Sequence, residues 1–447
     1  MNKATINVVS VIDSARVSPI QWRVFVLGMI ISLLDGYDTL ALTYALNSMA
    51  GQWHVKPVAF APAFTAALLG TCVGGLTFGQ LGDKLGRRKM LLIASLLFGL
   101  TTLATPFATN TMHLMVLRFL VGVGVGGLLP NVTTIVADYA PERHRKSAVM
   151  IIVGCLAGGA FFGGLIAKQL LPLYGWQSIF YVGGGASLLM SIVLLIALPE
   201  SPAFLALSDL PDRARRVAAI LRKIAPSMAI ADGVTFVVNR HAVKRASLRV
   251  LFSDGRAPVT LLIWLALSID LIVSYLFTFW MPTLARENGA SAGVALTASA
   301  LYSLGGMLSS VILGPISARI GQHLALIICF LLIIVASVLL SNAGVQTGVL
   351  YGGAVLTGIS AFGAWPAITA LTTTYYPIEV RATAIGYSTG VGRIAAMLSP
   401  VVVGILLAEG FRAKQILLTP ILPALVAVGC VVAIAMLRRG EGVGVTA

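Results

Sequence analysis

Long apolar runs separated by short polar segments dominate this chain. Twelve of them, at about 22–47, 58–80, 90–108, 112–137, 147–170, 177–198, 258–282, 294–317, 322–341, 346–373, 382–408 and 416–437, approach or exceed the length of a membrane-crossing helix. Such a helix needs ~20 residues to cross ~30 Å of hydrocarbon. The pattern therefore predicts an all-α membrane protein with twelve spans. A single sizeable polar stretch splits them into an N-terminal six-helix bundle (1–198), a central loop (199–257) and a C-terminal six-helix bundle (258–447). Within the loop, Pro211 to Ala225 sets Val217, Ile220, Leu221 and Ile224 on one helical face, with Arg213, Arg216 and Lys223 mostly away from it. That amphipathic pattern suits a helix lying on the inner leaflet.

Composition agrees with the pattern. Of 447 residues, 58% are hydrophobic and 11% charged, against about a quarter charged in soluble domains. A soluble enzyme, a secreted disulfide scaffold and a disordered chain are excluded. The net charge of +15 would suggest nucleic acid in a soluble protein, but 24 of the 31 Lys and Arg residues fall in or at the edge of alternate connecting segments, five in or at the edge of the others and two deep inside spans. By the positive-inside rule both termini are cytoplasmic, in a bacterial-type plasma membrane, and the bilayer rather than nucleic acid is the partner. Cys72, Cys155, Cys329 and Cys430 lie far apart in apolar stretches without metal-type spacing, so free buried thiols are expected. The first apolar run is too long for a cleavable signal.

The two halves are related. With an offset of 236, residues 118–148 lie over 354–384 without a gap, and Gly127, Pro130, Tyr139, Pro141 and Arg145 meet Gly363, Pro366, Tyr375, Pro377 and Arg381. An offset of 235 sets Gly79–Gly86 over Gly314–Gly321. Apolar composition matches Leu to Val freely, but not Pro, Tyr and Arg together. A parallel repeat of six-span halves is the architecture of transporters that rock around a midplane site.

Gly79-x-x-x-Asp83-Lys84-x-Gly86-Arg87-Arg88 after span 2 and Pro199-Glu200-Ser201-Pro202 after span 6 resemble signature elements of the major facilitator superfamily. The likeness runs over essentially the full length. A narrower resemblance, to the aromatic acid:proton symporter family, rests on Asp35-Gly36-Tyr37-Asp38 in span 1 and on Arg118-Phe-Leu-x-Gly122-x-Gly124-x-Gly126-Gly127 with Pro130-Asn131 in span 4. Val391-Gly392-Arg393 with Ser399-Pro400 in span 11 completes it. The resemblance implies proton-coupled uptake of benzoate-like, hydroxybenzoate-like or phenylpropanoid carboxylates. Span 5 lacks the proline of the superfamily's antiporter motif, which favours symport.

Ionisable groups inside a span are penalised by ~2.5–3.5 kcal/mol on insertion scales, so each needs a partner or a task. Asp35 and Asp38 stand one turn apart on the same face of span 1. Two desolvated carboxylates so close do not both ionise easily, so one can take up a proton, and residue spacing does not separate them. Arg118 and Arg393 can grip a carboxylate bidentately. Arg393 is placed first as the substrate ligand, while Arg118 either shares that task or pairs with Asp35 or Asp38. Asp270, outside the family pattern as we read it, lies near the middle of span 7, where it either pairs with Arg393 until substrate displaces it or is held locally. Tyr37, Tyr275, Phe279, Trp280 and Trp365 are candidates to wall an aromatic-ring pocket, Trp365 foremost, although each suits packing as well. Asp83, Arg87, Arg88, Glu142, Arg143, Arg145, Glu379 and Arg381 are candidate gating charges on the inner face.

The reading is therefore a carrier importing an aromatic or related hydrophobic carboxylate with protons, working as a monomer, with no cofactor implied. A proton-coupled efflux antiporter for amphipathic compounds is the alternative, and a transporter-like sensor a weaker one. There is no phosphate loop, metal-ligand cluster or Ser/His/Asp setting to suggest an enzyme.

Overall fold

The computed structural model describes residues 5–208, 212–226, 234–238, 248–253 and 255–443. A short strand β1 (Thr5–Asn7) and helix α1 (Val8–Ser14) precede the first six spans: α2 (Pro19–Trp53), α3 (Ala61–Leu85), α4 (Arg87–Ala104), α5 (Thr111–Tyr139), α6 (Glu142–Tyr174) and α7 (Gln177–Ala197). The central segment holds α8 (Pro202–Leu207), α9 (Arg213–Ile224) and β2 (Thr235–Val237). The last six spans are α10 (Ala257–Glu287), α11 (Ala292–Ile320), α12 (Gln322–Ala343), α13 (Thr347–Tyr375), the pair α14 (Ile378–Ala396) and α15 (Leu398–Ala408), and the pair α16 (Ala413–Leu418) and α17 (Ile421–Val443). Twelve helical stretches are long and apolar enough to cross a membrane. Leu76, Leu100, Ile196, Val311 and Leu422 are apolar yet largely exposed, as expected of side chains whose solvent is hydrocarbon.

Packing groups the chain into two compact units that cut across its order: residues 1–39, 69–159 and 180–242 form one, and 40–68, 160–179 and 243–447 the other. The ends of α2, α3 and α6 thus pack with the later helices. The internal repeat is visible as repeated contacts inside each unit. A Cβ on Gly70 of α3 would fall on the Phe119 carbonyl oxygen of α5, and a Cβ on Gly305 of α11 would fall on the Val355 carbonyl oxygen of α13. Only glycine permits that approach of two backbones. The Tyr139 hydroxyl donates to the Glu200 carbonyl (2.8 Å), and its counterpart Tyr375 donates to the Ile434 carbonyl (2.9 Å).

The central segment departs from the sequence reading. Helix α9 does place Val217, Ile220, Leu221 and Ile224 together, but the protein itself buries them, in a core shared with Val8, Val11 and Ile12 of α1 and Leu205 and Ala206 of α8. The face expected on the leaflet is already covered. Beside it β1 pairs in parallel with β2, Ile6 opposite Phe236. Three-residue strands more than two hundred residues apart leave no periodic signal in the sequence.

Candidate functional site

The first unit holds a buried charge cluster built by four helices. Asp38 of α2 and Arg118 of α5 are 4% and 2% exposed. Arg118 Nη1 donates to Asp38 Oδ2 at 3.4 Å, and the Thr102 hydroxyl of α4 donates to Asp38 Oδ1 at 3.0 Å. Arg118 Nη2 donates to the Thr105 hydroxyl at 2.6 Å, and the guanidinium stands 5.2 Å from the centre of the Phe180 ring on α7. Its Nε is buried without a hydrogen-bond partner among the described residues, so one donor stays uncommitted.

The structure thus separates the two carboxylates that the sequence left equivalent: Asp38 carries the arginine. Asp35 is equally buried, and its carbonyl accepts from the Thr39 hydroxyl (2.9 Å). Gly36 between them lets α2 meet α6, because a Cβ there would fall on the Leu156 carbonyl oxygen, and Gly159 of α6 has the reciprocal contact with Leu33. Tyr37 is buried against Gly183 of α7. Thr102, Thr105 and Phe180 escaped sequence reasoning. The available signal was two threonines, three residues apart, at the end of an apolar span.

The second unit holds the other candidates. Arg393 lies in the last turn of α14, half-buried, with no side-chain partner among the described residues. Helix α14 gives way to α15 at Met397, whose dihedrals stay helical (φ −64°, ψ −21°), so the span is loosened rather than broken. Pro400, lacking an N–H, explains the loosening.

Asp270 is fully buried, and neither carboxylate oxygen has a hydrogen-bond partner among the described residues. The expected pair with Arg393 is not formed. Gly392 packs on Leu267 and Leu271 of α10, and Asp270 lies within electrostatic reach of Tyr302 on α11 and Cys329 on α12. Tyr275 and Trp365 are half-buried.

Phe279 and Trp280 are buried in an aromatic row. Phe279 stacks on Phe64 of α3 (centroids 4.5 Å apart, 20° between planes), Trp280 meets Phe64 edge-on at 6.0 Å, and Tyr275 continues the row at 5.3 Å from Phe279. Around this plug Asn47 Nδ2 of α2 donates to the Thr283 hydroxyl (3.3 Å) and the Thr65 hydroxyl to the Met397 carbonyl (3.4 Å). These contacts form a seal at the ends of α2 and α3 near Trp53 and Phe60.

The candidate gating charges sit at the opposite ends. Asp83 pairs with Arg87, and Arg88 donates its backbone N–H to Glu200 Oε1 (3.0 Å), so the loop after α3 docks on the segment after α7. Arg145 pairs with Glu142 (2.5 Å) and reaches Asp13 of α1 at 3.8 Å, a partner the sequence did not suggest. Arg381 Nε donates to the Tyr376 carbonyl (3.3 Å), and the side chain of Glu379 lies outside the described residues.

Burial pushes the Glu200 carboxyl above the usual carboxylate range, against backbone N–H bonds from Arg88, Ser201 and Arg87 and the charge of Arg88, which pull it down. A raised value in the folded state means that folding favours the protonated form. The stability it contributes is complete below the ordinary carboxylate range and lost as pH rises through the raised value. Glu200→Gln keeps the acceptor oxygen without the charge. Its melting temperature should gain on the wild type between about pH 4 and pH 8, and parallel curves would refute the argument.

The family model of the Major Facilitator Superfamily matches residues 28–283 and 263–445. The 4-hydroxybenzoate transporter PcaK of Pseudomonas aeruginosa is 34% identical over 95% of this chain and 95% of its own length. The gallate transporter of Pseudomonas putida is 34% identical over 98% of this chain and 96% of its own. Among solved structures, a bacterial homologue of the human lysosomal transporter Spinster matches with a TM-score of 0.71 at 14% identity, covering 94% of this chain and 97% of that one. Spans, repeat, loop signature and full-length relatives agree: this chain belongs to the Major Facilitator Superfamily.

Proposed function

We propose that this protein imports an aromatic or related hydrophobic carboxylate together with protons, by alternating access. The observation that carries the proposal is the buried Asp38–Arg118 pair, one turn from a second buried carboxylate. The named substrates of the full-length relatives support the aromatic acid. Proton uptake by Asp38 cancels its charge, dissolves the ion pair and frees Arg118 for a new anion. Arg393, with no side-chain partner among the described residues, holds the substrate carboxylate, while Tyr275 and Trp365 offer surfaces to its ring. Asp270, whose oxygens have no hydrogen-bond partner among the described residues, meets a polar group of the substrate. Loss of the proton restores the Asp38–Arg118 pair and resets the carrier. The asymmetry of basic residues puts both termini in the cytoplasm of a bacterial-type cell. Asp83, Arg87, Arg88, Glu142, Arg145, Glu379 and Arg381 then gate the cytoplasmic side, and one chain contains every part of the mechanism.

The test is uptake into proteoliposomes under an inward proton gradient, with labelled benzoate, hydroxybenzoates, gentisate and phenylpropionates and an aliphatic dicarboxylate as control. Gradient-driven accumulation of a monocyclic aromatic acid is expected. Extrusion of an amphipathic dye with no such accumulation would replace import by efflux antiport.

A further inference from the structure

Beside the aromatic row the second unit carries an open concavity of about 640 Å³, lined among others by Asn47 and by the exposed side chains of His54, Lys56, Arg286 and Glu287. His54, Lys56, Arg286 and Glu287 form no ion pair and no side-chain hydrogen bond among the described residues, so these side chains are available to a visitor. Lys56 and Arg286 are two of only five basic residues that the sequence leaves on that side of the membrane. His54 is the one non-glycine residue with positive φ (53°) among the described residues. Beside it the Val55 N–H donates to the Ala50 carbonyl (3.1 Å), so this conformation closes the end of α2 as a helix cap.

The cavity also shares a residue with the seal. Asn47 lines it and donates to Thr283, which stands one turn before Arg286 on α10. Below that hydrogen bond lie the stacked rings of Phe64 and Phe279. An anion drawn to Lys56 and Arg286 therefore arrives beside a polar latch, with the aromatic plug beyond it. Glu287, the one acid of the lining, limits the excess of cationic charge, which suits a site that must collect a monoanion and release it onward.

We infer that this cavity is an antechamber for organic carboxylates, a low-affinity site that gathers substrate on the outer face and presents it to the Asn47–Thr283 latch. The inference rests on the proposed import of carboxylates. A cationic concavity raises local anion concentration and capture rate, an effect that salt removes.

The test is initial uptake of the transported aromatic acid by right-side-out proteoliposomes at low and high ionic strength. At low salt, Lys56→Ala with Arg286→Ala should raise KM by about three- to tenfold, with the maximal rate falling less than KM rises. Glu287→Gln should move KM the other way. Both differences should fade near ~0.5 M salt, where the Debye length shrinks to a few ångströms. Opposite shifts from opposite charges also guard against simple misfolding. Normal transport with KM unmoved in both variants at low salt would overturn the antechamber alone. If the wild type transports no carboxylate, the antechamber and the proposed function fail together.

Discussion

Asp38→Asn is expected to abolish proton-driven accumulation while leaving exchange of substrate across the membrane intact. The amide has the shape of the carboxyl group and keeps its oxygen for Arg118, while its NH2 can donate to the Thr102 hydroxyl; these two groups now contact separate carboxylate oxygens at 3.4 and 3.0 Å. It cannot take up a proton in the relevant range, so the ion pair no longer has two states. An imposed gradient of about two pH units is worth about 2.7 kcal/mol per proton, enough for roughly hundredfold accumulation if one proton accompanies each molecule. The variant should stay near equilibration in the same vesicles. Arg118→Leu should behave differently, because it strands the Asp38 carboxylate in a site that is 4% exposed. Removing one member of a buried pair costs about 3–5 kcal/mol, so the loss should appear first as a lower melting temperature. The double variant Asp38→Asn/Arg118→Leu should recover part of it. Wild-type accumulation by Asp38→Asn would move the coupling role to Asp35.

What the sequence conveyed follows from the range of each interaction. The twelve spans rest on local apolar runs, and the repeat on residues such as Pro130, Tyr139 and Arg145 that apolar composition does not match by accident. The pairing of Asp38 was beyond reach, because Asp35 and Asp38 share a helix face and only the placement of α4 and α5 tells them apart. Thr102 and Thr105 looked like ordinary small polar residues until Asp38 and Arg118 were brought to them. The amphipathic pattern of α9 was read correctly but given the wrong cover, since an apolar face does not specify whether lipid or protein buries it. Asp270 was judged by depth in its span, and equal depth does not make a pair: Leu267 and Leu271 pack on Gly392 beside Arg393, while Asp270 lies within electrostatic reach of Tyr302 and Cys329.

Arg393→Ala should weaken substrate affinity without the instability of an Arg118 variant. Arg393 is half-buried and has no side-chain partner among the described residues, so its removal leaves no group orphaned. Its lack of a partner is also the argument for its task. A cation kept near the end of α14, in a span loosened at Met397, stays free to bond a visiting anion. A charge-assisted hydrogen bond contributes about 1.5–3 kcal/mol, which corresponds to a KM raised by roughly ten- to 150-fold. Arg393→Lys should fall between, since lysine keeps the charge but loses the planar fork that meets both carboxylate oxygens. The discriminating ligand is an uncharged analogue of the same ring, an amide in place of the acid. Binding of the amide, followed by intrinsic tryptophan fluorescence, should be weak in the wild type and nearly indifferent to Arg393→Ala, because the contact it lacks is the one the variant removes. A KM within twofold of wild type for the acid in Arg393→Ala would reject the assignment and shift the carboxylate to Arg118, whose buried Nε makes no hydrogen bond among the described residues.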